Sequence, residues 1–144
     1  MDIQNFRHSG IVTRNLKKSL KFYIDILGFK IIKKVDENEK IMKEVLGLKK
    51  CELTTIKIGI NKKIYIELLH FKKINQLDSK IKIYSPGLTH ISLTVNNLEK
   101  IYKKLKKFKI KFISKPIFSE DKKVKLCFCR SPENIFIEFV EVIK

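Results

Sequence analysis

The spacing of apolar and polar residues predicts six elements in the first half of the chain. The segment 6–13 alternates like a strand with one buried face. A helix follows, with apolar residues at helical spacing between Asn15 as N-cap and Gly28 as its end. The remaining elements are a strand over 29–35, a short helix over 37–46, and strands over 52–59 and 63–70.

The second half of the chain repeats most of this order. Its elements are a strand over 87–95, a helix over 97–108, strands over 109–113 and 122–129, a turn over 131–134 and a strand over 135–142. A polar, lysine-rich stretch over 72–86 is predicted to link the halves. The pattern therefore predicts an α+β fold of two βαβββ modules, about 5–71 and 87–143, within one domain.

The two modules also share residues at matching positions. The run from His8 to Lys18 returns without gaps from His90 to Lys100, at a constant shift of 82 (90 − 8). Near the end of each module, Glu67 recurs as Glu138 at a shift of 71 (138 − 67). Since duplicated supersecondary units commonly build one shared site, we predict that His8, Glu67, His90 and Glu138 converge on one metal ion.

Strand alternation supports this interpretation. Glu67 shares a face with Tyr65, and Glu138 with Phe136, so each carboxylate is predicted in a partly apolar cleft. Such burial is costly unless a positive charge compensates it, and a divalent cation would do so. Taken singly, each histidine could be structural and each glutamate a solvated strand residue; the repeated placement of all four favours metal binding. His70 and Glu141 have the opposite parity and are left out of the set.

Imidazole and carboxylate donors together suit a divalent nickel, cobalt, zinc, iron or manganese ion. Four protein ligands on an octahedral ion leave two adjacent positions for a substrate with neighbouring oxygens. A carbonyl chelated in this way is polarised, and a glutamate can move the proton on the adjacent carbon.

Composition narrows the class of partner. The chain has 144 residues, 44% of them hydrophobic, and a net charge of +17. Arginine supplies only Arg7, Arg14 and Arg130 of the 32 basic residues, so the bidentate contacts typical of nucleic-acid recognition are not favoured. A nucleic-acid-binding function would rest on charge alone. We expect instead a basic surface that attracts small anionic substrates, with no nucleic-acid partner.

The sequence predicts a cytoplasmic protein without a membrane partner, because it has no apolar run of spanning length and does not begin like a signal peptide. Its three cysteines, Cys51, Cys127 and Cys129, lack metal-type spacing and are predicted to be reduced and inert. Cys127 and Cys129 share one face of a strand, which leaves a redox pair open, although packing is favoured.

Four segments together resemble the vicinal-oxygen-chelate superfamily, which includes glyoxalase I, methylmalonyl-CoA epimerase, extradiol dioxygenases and antibiotic-resistance proteins. The segments are residues 8–29, 66–70, 87–95 and 131–138. The resemblance implies paired βαβββ modules that form a cupped mixed sheet around a metal, closing within one chain or across a homodimer.

By this resemblance, His8, Glu67, His90 and Glu138 match the four metal ligands of bacterial glyoxalase I. Such a set implies isomerase or lyase chemistry, with Glu138 as the proton-transfer base and Glu67 as a candidate second base. A fourth protein ligand argues against a dioxygenase. Val12 stands where glyoxalase I usually carries an arginine for glutathione, and no Asn-Trp pair follows Glu67, so glutathione recognition is not implied.

The stretch over 66–70 resembles methylmalonyl-CoA epimerase, although 37–51 does not follow its pattern. We therefore predict a homodimeric, metal-dependent isomerase or lyase that chelates a small oxo- or hydroxy-acid derivative and moves a proton alpha to its carbonyl. The alternative is a non-catalytic or resistance-type protein that sequesters a ligand.

Overall fold

The computed structural model describes residues 3–49, 51–74 and 81–143. The chain divides into two compact units, residues 1–77 and 78–144. This division falls within the stretch that the sequence predicts to be a linker. Each unit holds one four-stranded mixed sheet and is described by itself.

The first unit contains four strands and a helix. They are β1 (Ser9–Val12), α1 (Leu16–Leu20), β2 (Lys30–Asp36), β3 (Glu52–Gly59) and β4 (Tyr65–Lys72). The sheet order is β1-β4-β3-β2, in which β1 runs parallel to β4 and the other neighbours are antiparallel. The first strand therefore lies beside the last, which brings the two ends of the module together.

Local signals set the limits of α1. Asn15 Oδ1 accepts a hydrogen bond from the backbone N–H of Lys18 at 2.9 Å, as predicted for an N-cap. The helix continues as a π-helical turn over Lys21–Ile26, where the N–H of Leu27 donates to the carbonyl of Phe22. Gly28 then ends the segment with a φ of +85°, a conformation that favours glycine.

The helix predicted over 37–46 is shorter than expected. Its main part is a π-helical turn over Ile41–Val45, preceded by Asn38, whose side chain accepts from the N–H of Ile41 at 3.0 Å. Only Met42 of this turn is buried. Val45 and Leu46 are also apolar but are 68% and 41% exposed, so little packing supports a longer helix.

The two faces of the first sheet differ in character. Ile56, Ile58, Ile66 and Leu68 lie on one face and are buried. The opposite face carries Lys57, Tyr65 and Glu67, which are only partly buried. Branched apolar side chains thus fill the middle of one face, and the charged residues around Glu67 lie on the other.

The second unit repeats the topology of the first. Its elements are β5 (His90–Thr94), α2 (Leu98–Lys107), β6 (Ile117–Phe118), β7 (Val124–Arg130) and β8 (Phe136–Val142). The order β5-β8-β7-β6 again places the first strand parallel to the last. Asn97 caps α2 as Asn15 caps α1, by accepting from the N–H of Lys100 at 2.8 Å. The predicted α+β architecture of two βαβββ modules is confirmed.

One predicted strand is wrong. Residues 109–113 form no ladder; Phe112 makes an isolated bridge with Cys129, and the second strand of the module is β6. Lys109 has a φ of +58°, and the N–H of Ile110 donates to the carbonyl of Leu105. The start of the segment is thus tied to the end of α2, so its alternating pattern does not become a strand.

Across the described ranges, no helix is both long and apolar enough to cross a membrane.

Candidate metal site

The parallel pairing of β1 with β4 brings His8 to Glu67. In this register Gly10 lies opposite Glu67, so the residue just before β1 faces the stretch that contains Tyr65 and Glu67. His8 Nε2 lies 3.3 Å from Glu67 Oε2, and the two side chains are 23% and 16% exposed. The ring centroids of His8 and Tyr65 are 5.7 Å apart. The fold therefore brings together one predicted His–Glu pair in a partly buried position.

This pair has the donor chemistry and spacing of two metal ligands. Metal–ligand bonds of about 2.0–2.2 Å at right angles place neighbouring donor atoms about 3 Å apart. The 3.3 Å between His8 Nε2 and Glu67 Oε2 agrees with that spacing. His8 Nδ1 is buried without a hydrogen-bond partner among the described residues, and an unpartnered polar atom of this kind is costly. This His–Glu pair therefore fits a divalent ion, which would bind either His8 Nε2, at the observed spacing, or the unpartnered Nδ1.

Lys57 belongs to the same cluster, although the sequence analysis did not identify it. It lies opposite Glu67 in the β3–β4 ladder, with Nζ 3.9 Å from Glu67 Oε1 and 5.6 Å from the centroid of the Tyr65 ring. Its signal in the sequence was the same as that of Glu67, a charge interrupting an apolar strand. Only the register of the β3–β4 ladder shows that Lys57 lies beside Glu67.

The second His–Glu pair lies on β5 and β8. His90 lies opposite Phe136 and Ser92 lies opposite Glu138, so His90 and Glu138 are diagonal neighbours on one sheet face. Phe128 flanks Glu138 on its other side, in β7. The Phe128 ring meets the His90 ring edge to face, with centroids 5.8 Å apart.

The orientation of His90 is supported by its neighbour in sequence. His90 Nδ1 lies 3.2 Å from the hydroxyl oxygen of Thr89, within hydrogen-bond distance. A partner on one ring nitrogen fixes the ring and leaves the other nitrogen for a ligand role.

On the opposite faces of the two sheets, His70 and Glu141 make contacts with the segments that lead into the helices. His70 Nδ1 lies 3.0 Å from the carbonyl oxygen of Thr13, just before the cap of α1. Glu141 Oε2 accepts from the N–H of Leu98 at 2.8 Å, at the start of α2. His70 and Glu141 are equivalent positions of the repeat, and both connect the last strand of a module to the start of its helix. These contacts of His70 and Glu141 are structural.

Within each unit, the structure places one histidine and one glutamate of the predicted set on the same face. Neither unit, over its described residues, contains a group of three or more His, Cys, Asp or Glu side chains arranged to hold a metal ion. A four-ligand centre needs the donors of both units, and it stays a prediction.

The cysteines lie apart from this chemistry. Cys127 and Cys129 are buried on β7, on the face opposite that of Phe128. Burial raises the pKa of the Cys127 thiol to about 11 and that of Cys129 to about 12. Protonated, enclosed thiols are poor nucleophiles and poor metal ligands, so packing accounts for both residues.

Comparisons with solved structures identify the fold. The glyoxalase family protein of Bacillus cereus superposes with a TM-score of 0.88 at 16% identity, over 100% of this chain and 97% of that one. The trypanothione-dependent glyoxalase I of Leishmania major gives 0.71 at 19% identity, over 96% and 87%. A glyoxalase family protein of Enterococcus faecalis gives 0.70 at 19% identity, over 98% and 100%.

A search of curated protein sequences found no significant match. The family model for the Glyoxalase/Bleomycin resistance protein/Dioxygenase superfamily matches residues 5–139, which is nearly the whole sequence. This match agrees with the repeated topology and with the structural neighbours. The chain belongs to the Glyoxalase/Bleomycin resistance protein/Dioxygenase superfamily.

Proposed function

We propose that the protein is a metal-dependent isomerase or lyase that chelates a small oxo- or hydroxy-acid derivative and moves a proton alpha to its carbonyl. The observation that carries this proposal is the 3.3 Å approach of His8 Nε2 to Glu67 Oε2 on a partly buried sheet face. The equivalent His90 and Glu138 of the second unit also share a face. The same pair of donor types thus recurs at the same place of a repeated fold.

His8, Glu67, His90 and Glu138 would hold one nickel, cobalt, zinc, iron or manganese ion. When bound, such an ion supplies Lewis-acid polarisation of a chelated carbonyl. The two His–Glu pairs would come from one chain or from two copies in a homodimer. Mixing a His8→Ala variant with a His90→Ala variant distinguishes these cases, because only a site shared between copies regains metal binding in mixed dimers.

Glu138 is the better candidate for the proton-transfer base. Both oxygens of Glu67 already face a partner, His8 Nε2 on one side and Lys57 Nζ on the other. The strand neighbours of Glu138 are Ser92 and Phe128, neither of which carries a charge. A base needs an oxygen that can reach the substrate proton, and Glu138 meets this requirement without breaking an ion pair.

Metal binding and proton exchange test the proposal separately. Chelator-stripped protein is titrated with Ni²⁺ and with Zn²⁺, and proton NMR follows exchange of alpha protons with D₂O in a panel of small 2-oxo and 2-hydroxy acids. We expect His90→Ala to weaken metal binding by at least about 100-fold, since outer-shell partners alone contribute 10–100-fold. His70→Ala serves as the matched control, because this histidine lies on the opposite face. A His90→Ala protein with normal metal affinity would contradict the proposed site.

The same assays separate an enzyme from a binding protein. A protein that sequesters its ligand would bind oxo acids without exchanging their alpha protons. Glu138→Gln is expected to abolish exchange while retaining a metal site of reduced affinity. We further infer a cytoplasmic setting and a small anionic substrate from the sequence arguments above, and the basic composition supports the second of these.

A further inference from the structure

A row of charged residues crosses the first sheet on the face of the candidate site. Lys33 in β2 lies directly opposite Lys57 in β3, Lys57 lies opposite Glu67 in β4, and Glu67 lies opposite Gly10 in β1. Residues that face each other in a ladder point to the same side of a sheet. The row therefore presents two cations and one carboxylate side by side, and it ends at a residue without a side chain.

The charges of this row do not balance. Like charges directly opposite each other destabilise a sheet, so the Lys33–Lys57 pairing is unfavourable by itself. Glu67 can neutralise only one lysine, and its Oε1 is 3.9 Å from Lys57 Nζ, beyond hydrogen-bond distance. The Lys57 side chain is 23% exposed, and the Tyr65 ring lies beneath its ammonium group. Over the described residues, these two contacts leave the hydrogen-bond donors of Lys57 without an acceptor.

The second unit shows that the fold does not require a cation at this place. The residue opposite Glu138 in the equivalent ladder is Phe128. The basic residue on that face, Arg130, donates to the carbonyl oxygens of Ile81 and Asn134 and stacks on Phe136 at 4.1 Å. Hydrogen bonds to the local backbone thus occupy Arg130, whereas the contacts of Lys57 are the ion pair with Glu67 and the Tyr65 ring.

We propose that Lys57, with Lys33 beside it, binds an anionic group of the substrate. The inference rests on the proposed function, and it specifies the substrate class as a small oxo or hydroxy acid with a second anionic group, a carboxylate or a phosphate ester. In the proposed centre, the two carboxylates of Glu67 and Glu138 would balance the charge of the divalent ion. The positive charges of Lys33 and Lys57 would then remain uncompensated. A carboxylate placed beside Lys57 offsets one of these two positive charges, and a phosphate dianion offsets both. Lys57 acts here as a specificity residue that fixes which end of the substrate faces the first unit.

The test measures anion binding in metal-free protein. Chelator-stripped protein is titrated at low ionic strength with malonate and, separately, with inorganic phosphate. Calorimetry gives the affinity, and NMR follows the ¹³C-labelled lysine side chains. We expect Lys57→Gln to weaken binding at least tenfold, Lys33→Gln to weaken it a few-fold, and Lys57→Arg to retain most of it. Stronger binding of malonate identifies a carboxylate as the second group, and stronger binding of phosphate identifies a phosphate ester.

Lys34→Gln is the matched control, since Lys34 adjoins Lys33 in β2 but lies opposite Ile56, on the other face. An equal loss of anion affinity in Lys34→Gln and Lys57→Gln would overturn the proposal, because the anions would then respond only to the general surface charge. Absence of binding in the unmodified protein would also overturn it. If circular dichroism shows that Lys57→Gln does not fold, the anion affinities of Lys33→Gln and Lys34→Gln are compared instead. Equal affinities of these two variants would then overturn the proposal.

Metal titration of the same proteins separates this inference from the proposed function. Lys57→Gln is expected to bind Ni²⁺ at least as tightly as the unmodified protein, because a like charge near the ion has been removed. Metal binding without an effect of Lys57→Gln on anions would refute the anion site alone. An effect on anions without metal binding in the unmodified protein would refute the metal centre and leave the anion site in place.

Discussion

Glu67→Gln distinguishes a metal ligand from a simple ion-pair partner. The substitution removes the negative charge beside His8 and Lys57 and preserves the size of the side chain. In metal-free protein the cost is small, because each ion pair of a partly exposed group contributes about 0–1 kcal/mol. Two such contacts, at 3.3 Å and 3.9 Å, give an expected loss of about 1 kcal/mol in the free energy of unfolding.

The effect on metal binding should be much larger. Loss of a direct ligand is expected to weaken metal affinity by at least about 100-fold, which corresponds to about 2.7 kcal/mol. The assay compares urea unfolding of metal-free protein with a Ni²⁺ titration against a chromogenic chelator. The difference between the two free-energy changes is the quantity that identifies a ligand.

Glu52→Gln provides a matched control for this comparison. Glu52 also forms ion pairs with two lysines, Lys72 and Lys73, and it belongs to the same strand as Lys57 but to the opposite face. We expect Glu52→Gln to leave metal affinity unchanged. If Glu67→Gln binds Ni²⁺ as the unmodified protein does, or if Glu52→Gln loses as much affinity, Glu67 is not a ligand.

Two further predictions concern the helix start and the buried thiols. Glu141→Ala should lower the free energy of unfolding by about 1 kcal/mol, because the N–H of Leu98 loses its acceptor. Glu141→Gln keeps an acceptor oxygen and should retain most of this stability. Thermal unfolding of both variants checks the prediction. Burial holds the pKa of Cys127 and Cys129 above the ordinary thiol value of 9.0, so the stability from their protonated state is complete below about pH 9 and is lost as pH rises towards about 11 to 12. Urea unfolding at rising pH should show this decline, and replacing both cysteines with alanine should flatten it; an unchanged slope would contradict the role of burial.

Short-range signals predicted much of each module correctly. The strand over Glu52–Gly59 has the predicted limits, because its alternation and the flanking turn are encoded locally. Asn15 is an N-cap as predicted, and Asn97, at the matching position of the repeat, caps α2 in the same way, since the cap contact reaches only three residues ahead. The repeat added long-range information, because equal residues at equal offsets imply equal places in the fold, and it predicted that His8 and Glu67 would share a site.

Other features depend on tertiary contacts that the residue pattern does not contain. The two-residue strand β6 is too short for any periodicity to identify it. The stretch over 109–113 alternates like a strand, but its start is held by α2, and the pattern predicted the wrong element. Lys57 was missed for a third reason: its importance follows from its partner across the β3–β4 ladder, and register is a property of the sheet rather than of one strand.

The repeat has diverged at the position that faces its glutamate, and under the proposed function this difference would give the two halves distinct roles. Lys57 beside Glu67 keeps a cation next to one carboxylate, which suits a residue that stays charged as a ligand and aligns an anionic substrate. Phe128 beside Glu138 leaves the other carboxylate without a cationic strand neighbour, which suits a residue that takes up and returns a proton. Exchanging the two environments by the double substitution Lys57→Phe and Phe128→Lys should therefore reduce alpha-proton exchange more than metal affinity, because all four donors are kept. An equal loss of alpha-proton exchange and of metal affinity would show that Lys57 and Phe128 affect only metal binding.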